Sequence, residues 1–154
     1  MPEVLLDIRL PPAPTAPGRA RRALDPLEGR LDPETLYALR LMISELVTNC
    51  VRHAGMSQDD GISLRVEGGA DRVRVEVADQ GWGFGAPSDR VKGGWQFQGR
   101  RAAEWPGGWG LSIVQALADS WGVTVDRGTT VWFEMSPGRG TLPRGPRGRR
   151  GDSS

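Results

Sequence analysis

Cysteine is nearly missing from this chain. Cys50 stands alone, so no internal disulfide can form, and no cluster of cysteines or histidines surrounds it to build a metal site. Its ordinary reading is a small core residue. Long apolar runs are missing as well: nothing approaches the roughly 20 consecutive apolar residues of a membrane-spanning helix, and no span is expected. The first apolar stretch, Val4 to Leu10, is interrupted by Asp7 and preceded by Glu3 in place of a basic start. It does not read as a secretory signal, so a cytoplasmic location is expected. Nor is there a large excess of charge of either sign. The net charge of +1 comes from 20 basic and 19 acidic residues. However, Arg139, Arg144, Arg147, Arg149 and Arg150 fall in the last sixteen residues against Asp152 alone, leaving 15 basic and 18 acidic residues in residues 1 to 138. A nucleic-acid binder would have to work through that arginine-rich end while carrying an acidic body, so direct nucleic-acid binding is the least favoured function class.

What is present is the patterned sequence of one domain: 154 residues, 38% apolar and 25% charged, enough to bury a single core. Val4 to Leu10 reads as a short strand stopped by Pro11, Pro12 and Pro14. Pro17 to Leu27 reads as a short basic helix that Pro26 must end or kink. The signal is clearest from Asp32, which can cap a helix, with Pro33 suited to the first helical position. Leu36, Leu39, Ile43, Leu46, Val47, Cys50 and Ala54 recur at helical spacing and predict a long amphipathic helix ending near Gly55. Ile62 to Glu67 and Arg72 to Ala78 alternate as two strands about a turn at Gly68 to Asp71. Residues 80 to 110 hold nine of the 22 glycines, show no sustained period and read as a long functional loop. Leu111, Val114, Leu117 and Ala118 predict a second helix reaching Ser120, and Gly122 to Asp126 with Thr129 to Met135 predict a closing hairpin. From Ser136 the chain is Gly, Pro and Arg with Leu142 as its lone apolar residue, too little to offset the entropy of ordering. The expected organisation is a domain over residues 1–136 and a disordered tail over 137–154. The element order predicts the α/β class, an α+β sandwich with a mixed, largely antiparallel sheet and helices on one face.

Glu45, Asn49 and His53 stand four residues apart, in one row beside the apolar stripe of the long helix. Taken alone, the row is best explained as a solvated helix edge. Its functional reading places the Asn49 side-chain oxygen on a magnesium ion, which otherwise keeps waters and substrate phosphates, with Glu45 as a general base. His53 reads as structural. Asp79-Gln80-Gly81-Trp82-Gly83-Phe84-Gly85 follows a strand directly, and its glycines let another group approach the backbone. A carboxylate at that strand end can accept a hydrogen bond from an exocyclic amine such as that of adenine, though a glycine-rich turn explains it equally in isolation. Gly81, Gly83 and Ala86 also satisfy the dinucleotide pattern, but Pro87, Ser88 and Asp89 continue as loop where that motif needs a helix. Gly107-Gly108-Trp109-Gly110-Leu111 runs straight into the second helix, whose free N–H groups suit a phosphate. No phosphate-loop lysine motif exists in the chain. Arg90, Lys92, Arg100 and Arg101 lie between the glycine turns as candidate phosphate caps, and four of the six tryptophans share that region.

Three pieces in order resemble the N, G1 and G2 boxes of the GHKL ATPase superfamily, whose members include DNA gyrase B subunits, MutL and histidine kinases. They are Glu45-Leu-Val-Thr-Asn49-Cys-Val-Arg-His53-Ala54, Asp79-x-Gly81-x-Gly83-Phe84 and Gly108-x-Gly110-Leu111. Ser44-Glu-Leu-Val-Thr-Asn, Leu117-Ala-Asp-Ser-Trp-Gly122 and Gly128-Thr-Thr-Val-Trp-Phe-Glu134 look most like the small actinobacterial branch related to anti-sigma factor serine/threonine kinases. The resemblance implies the histidine-kinase-like, Bergerat-type fold, with ATP bound between helices and sheet under a mobile lid. It implies that Asn49 coordinates Mg2+, Glu45 is the catalytic base and Asp79 holds the adenine amine. Gly81 and Gly83 would shape the adenine pocket, Gly108, Gly110 and Leu111 the phosphate turn, and Thr130 on the last strand would support Asp79. ATP and Mg2+ are the implied cofactors. The implied acceptor is a serine or threonine of an anti-anti-sigma STAS-domain protein, the nucleotide-bound kinase otherwise sequesters a sigma factor, and a homodimer is left open. The alternative is a non-catalytic ATP-binding interaction module of the same fold. Glu45 favours the enzyme, whereas the distinct lid sequence and the short, proline-interrupted segment 11–31 suit the module. A histidine kinase is disfavoured, since nothing before Asp32 is long enough for a helical phosphoacceptor domain.

Overall fold

Two periodicities build the core, a period of two along the strands and of 3.6 along one long helix. The computed structural model describes residues 2–53, 61–79, 95–98, 111–125 and 128–138. In chain order these form β1 (Glu3–Leu10), α1 (Ala16–Ala23), a single 3-10 turn (Asp25–Leu27), α2 (Pro33–His53), β2 (Ile62–Gly68) and β3 (Val73–Asp79). β4 (Trp95–Gln98), α3 (Ser112–Leu117), β5 (Ser120–Val125) and β6 (Thr129–Met135) complete the order. The six strands form one sheet in the order β1-β2-β3-β6-β5-β4. Every described pairing is antiparallel, so the sheet is not mixed as the sequence led us to expect.

Alternation puts Val73, Val75 and Val77 of β3 on the inner face, opposite Met135, Phe133 and Val131 of β6 and, for the last two valines, Val66 and Leu64 of β2. Leu39, Met42, Ile43, Leu46, Val47 and Cys50 of α2 are fully buried and belong to the same core cluster as this strand face. Spacings of three and four residues keep them on one side of the helix. α1 packs on α2 and β1 through Ala16 and Ala20, and α3 packs on α2 and β5. The outer face carries ion pairs: Arg65 with Asp7 and Glu67, and Arg74 with Glu76 and Glu134. Arg74 also stacks 4.5 Å from the centroid of the Trp132 ring. That ring lies over Gly122, where a Cβ would come within 2.6 Å of its Nε1.

α2 begins where its cap dictates. Asp32 Oδ2 accepts the Thr35 N–H at 3.0 Å, and Pro33, which has no N–H to satisfy, occupies the first turn. Asp32 Oδ1 and Thr35 Oγ1 also accept the Gly138 N–H at 3.1 Å each, tying the exit of β6 to the start of α2. The segment expected as a tail from 137 therefore opens with an anchored turn, and residues 139–154 lie outside the described residues. Two other expectations change. The second helix ends at Leu117 rather than Ser120, because Ala118 turns extended and Ser120 already pairs with Glu134 in β5. Residues 95 to 98, expected as loop, form β4 against Val125 to Gly122, a pairing supplied by a strand far along the chain. Among the described residues no helix is long and apolar enough to cross a membrane.

Candidate functional site

The apolar stripe of α2 faces the sheet, and its polar row follows at the stripe's edge. Glu45 is half-buried, while Asn49, one turn later, is only 5% exposed. The Asn49 Nδ2 is enclosed and has no hydrogen-bond partner among the described residues. An unpaired buried N–H donor of this kind costs about 1–3 kcal/mol, and an acceptor oxygen of a ligand is one group that could complete it. His53 closes the helix, and its side chain lies outside the described residues.

Around Glu45 the helix is braced. Arg21 Nη1 of α1 donates to Ser44 Oγ at 2.6 Å, and Thr48 Oγ1 donates back to the Ser44 carbonyl at 2.7 Å. Neither contact was foreseen from sequence, since nothing in the spacing of Arg21 and Ser44 announces that α1 crosses α2 at that point.

Asp79 ends β3 on the inner face, following Val73, Val75 and Val77, and is buried. Its neighbour across the sheet is Thr129, fully buried, on β6. Directly opposed residues of an antiparallel pair project to the same face. Thr130, expected to support Asp79, instead opposes Ala78, so it projects to the other face and needs correction. The strict alternation Thr129, Val131, Phe133, Met135 was available in the sequence and would have selected Thr129. From the helix side, Cys50 is buried in the core cluster. Burial first, and then the charge of Asp79, hold the Cys50 thiol well above its ordinary range. Cys50 is thus in the core, as expected.

Leu111 is buried and precedes the first turn of α3, its carbonyl accepting the Gln115 N–H at 2.9 Å. Because α3 packs on α2, the chain leaves the expected phosphate turn beside the helix that carries Asn49. Gly81, Gly83, Gly108 and Gly110, together with Arg90, Lys92, Arg100 and Arg101, lie outside the described residues. Among the described residues, Glu45, Asn49 and Cys50 on α2, Asp79 on β3, Thr129 on β6 and Leu111 before α3 thus lie on elements that pack on one another. A separate groove of about 380 Å³, lined by Glu67, Asp71, Arg72, Arg74 and Glu134, sits at the opposite end of β3, roughly 20 Å away by strand rise, and holds none of these residues.

The donors suit a magnesium nucleotide. Among the described residues no three carboxylate, thiol or imidazole groups converge as a metal cage. Magnesium needs none when phosphates and water complete its shell around one or two protein oxygens, and the side chain of Asn49 can supply one. A buried carboxylate at the strand end complements an amine donor.

Comparison with known proteins gives a consistent picture. The profile of the family described as a histidine kinase-like ATPase domain matches residues 10–135. The chain is 29% identical over 131 residues to the serine-protein kinase RsbW of Bacillus licheniformis, covering 82% of this chain and 81% of that protein. It is 29% identical over 127 residues to the anti-sigma F factor of Caldanaerobacter subterraneus subsp. tengcongensis, covering 81% and 80%. A crystal structure of the RsbU and RsbW domains of a Mycobacterium tuberculosis protein aligns with a TM-score of 0.50 and 19% identity, over 89% of this chain and 32% of that longer one. That last likeness concerns the fold.

Proposed function

Because the chain belongs to the histidine kinase-like ATPase domain family, we propose that it is an ATP-dependent anti-sigma factor. In this reading it phosphorylates a serine or threonine of an anti-anti-sigma STAS-domain protein and, while holding nucleotide, sequesters a sigma factor in the cytoplasm. The observation that carries the reading is the buried, unpaired amide of Asn49 one helical turn from Glu45, on a helix packed against the strand that ends in Asp79. The relatives named as a serine-protein kinase and an anti-sigma factor support the same assignment.

The chemistry divides among the residues. Asp79 accepts the exocyclic amine of adenine, with Thr129 beside it on the same face. The side-chain oxygen of Asn49 would hold a magnesium ion, which would supply charge neutralisation to the phosphates. Glu45 accepts the proton of the acceptor hydroxyl as its oxygen bonds to the γ-phosphorus and the bond to the leaving ADP oxygen breaks, which is general-base catalysis coupled to positioning. Gly81, Gly83, Gly108, Gly110 and Leu111 complete the base pocket and phosphate turn in this proposal. The functional unit spans residues 1–136, with 137–154 appended.

Incubation with γ-labelled ATP, Mg2+ and a panel of anti-anti-sigma STAS domains tests it. Label is expected on one STAS protein. ATP binding with no transfer to any of them would assign the chain to the non-catalytic interaction module, and no ATP binding would overturn the site itself.

A further inference from the structure

α1 lies against α2 along a seam of buried residues. Ala16, Ala20 and Leu24 recur every four positions and are fully buried, which gives α1 one apolar face toward the long helix. The two alanines keep the helices close enough for polar side chains to reach across the edge of the seam, and they do so at successive turns of α2. Arg40 pairs with Asp25 and Glu28 at 2.7 and 3.1 Å. One turn later, Ser44 Oγ accepts a hydrogen bond from Arg21 Nη1 at 2.6 Å. Ser44 is held a second time through its carbonyl, which accepts the Thr48 hydroxyl at 2.7 Å. A threonine bonded back to the carbonyl four residues earlier tends to bend a helix. The turn from Ser44 to Thr48 contains Glu45, so the residue just before Glu45 has fixed partners for both its side chain and its main chain.

We propose that Arg21 and Ser44 are positioning residues for the general base: the hydrogen bond between them fixes the rotation of α2 at the turn that carries Glu45, and so sets the direction in which its carboxylate meets the acceptor hydroxyl. This rests on the phosphoryl-transfer reading above. The apolar stripe of α2 holds the helix down but is non-directional, whereas a hydrogen bond across the seam fixes an angle. Glu45 is half-buried at the margin of that stripe and has no side-chain partner among the described residues, so the helix is what aims it. A base has to stand within hydrogen-bond reach of the proton it takes, and a misplacement of about 1 Å can cost about 100-fold in rate. Asn49 and Asp79 differ from Glu45 in being buried, at 5% and 4% exposure, so core packing holds them. Loss of the Arg21–Ser44 bond therefore acts on transfer and spares nucleotide binding.

The test measures single-turnover transfer from γ-labelled ATP to the STAS-domain acceptor, beside calorimetric ATP affinity, in the parent, Ser44→Ala, Arg21→Met, Ser44→Thr and the Ser44→Ala/Arg21→Met double variant. Ser44→Ala and Arg21→Met are each expected to slow transfer about 10-fold, a fraction of the cost of a full misplacement, with ATP affinity held within about twofold. The double variant is expected to be no slower than the slower single one, because the same bond is lost in all three. Ser44→Thr, which keeps the hydroxyl, is expected to retain most of the parent rate. In a Glu45→Gln background neither substitution should lower the residual rate further, as befits groups that act through the base. A loss that persists with Glu45→Gln, a loss matched by weaker ATP binding, or no loss at all would assign the pair to helix packing and overturn the inference. If Arg21→Met fails to fold, Ser44→Ala, which removes a single oxygen, carries the comparison. A parent that transfers to no STAS protein would overturn the kinase reading and this inference with it, whereas a transferring parent with unaffected variants would overturn this inference alone.

Discussion

Replacing Asn49 with leucine removes the amide while keeping a side chain of similar shape, and two opposite effects follow from one atom. In the ligand-free protein the Asn49 Nδ2 is enclosed with no partner among the described residues. An unmet buried donor costs about 1–3 kcal/mol. Only one atom of the amide is so placed, so we take the lower end: Asn49→Leu should stabilise the free protein by about 1 kcal/mol, a rise in melting temperature of about 3 °C for a chain of this size. Ligand should reverse the ranking. Saturating the parent at 100 times its dissociation constant adds about 2.7 kcal/mol, whereas a variant that has lost the cation ligand gains nothing. Thermal melts of both proteins, with and without MgATP, give all four numbers in one experiment. The expected pattern is a higher melting point for the variant alone and a higher one for the parent with nucleotide. If the variant melts below the parent without nucleotide and still rises with MgATP, Asn49 is a paired structural residue and the argument from its unmet donor fails. The general point is that a binding site keeps a group the fold alone would discard.

Glu45→Gln should leave ATP affinity within about twofold and lower phosphoryl transfer by roughly 100-fold to 10,000-fold, the usual range for a lost general base; titration calorimetry beside a single-turnover assay separates the two. Thr129→Val should weaken ATP binding about 10-fold, the worth of one hydrogen bond near the base, while Thr130→Val, on the opposite face, should not; the reverse order would mean that the β3–β6 register is shifted by one. Asp32 governs acid stability. Its partial burial, the largest single influence, pushes its carboxyl up, but hydrogen bonds from the Thr35 hydroxyl, the Thr35 N–H and the Gly138 N–H together hold it below the ordinary value of 3.8. A carboxyl depressed in the folded state contributes stability above its unfolded value and loses it as the pH falls through the folded one. Asp32→Ala should therefore cost about 1 kcal/mol at neutral pH, with the difference from the parent closing below about pH 4; a constant difference from pH 7 to pH 2 in urea melts would contradict the role of the carboxylate.

Much of the fold was legible because local patterns and long-range packing agree. The 3.6-residue spacing of Leu39, Ile43, Leu46 and Cys50 announced α2, Asp32 and Pro33 announced its start, and the alternations of Ile62 to Glu67 and Thr129 to Met135 announced their strands. β4 was missed although Trp95-Gln-Phe97-Gln alternates, because four residues carry too little signal until β5 is there to pair with them. The helix over residues 111 to 120 was drawn too long for a related reason: the pairing of Ser120 with Glu134 outweighs the helical preference of the residues before it.

The sequence by itself determined which residue types are available for chemistry: a carboxylate and an amide one turn apart on a helix, a carboxylate at a strand end, glycines on either side of a long segment, and a family resemblance that tied them to ATP. Only the tertiary structure decided which of these meet. Register, a relation between β3 and β6 across fifty residues, chose Thr129 over Thr130, because a shift of one residue moves a side chain to the other face. The packing of α2 on β3 set the helix that carries Asn49 against the strand that ends in Asp79, and the crossing of α1 on α2 brought Arg21 to Ser44. These are contacts between residues far apart along the chain, and no local period encodes them.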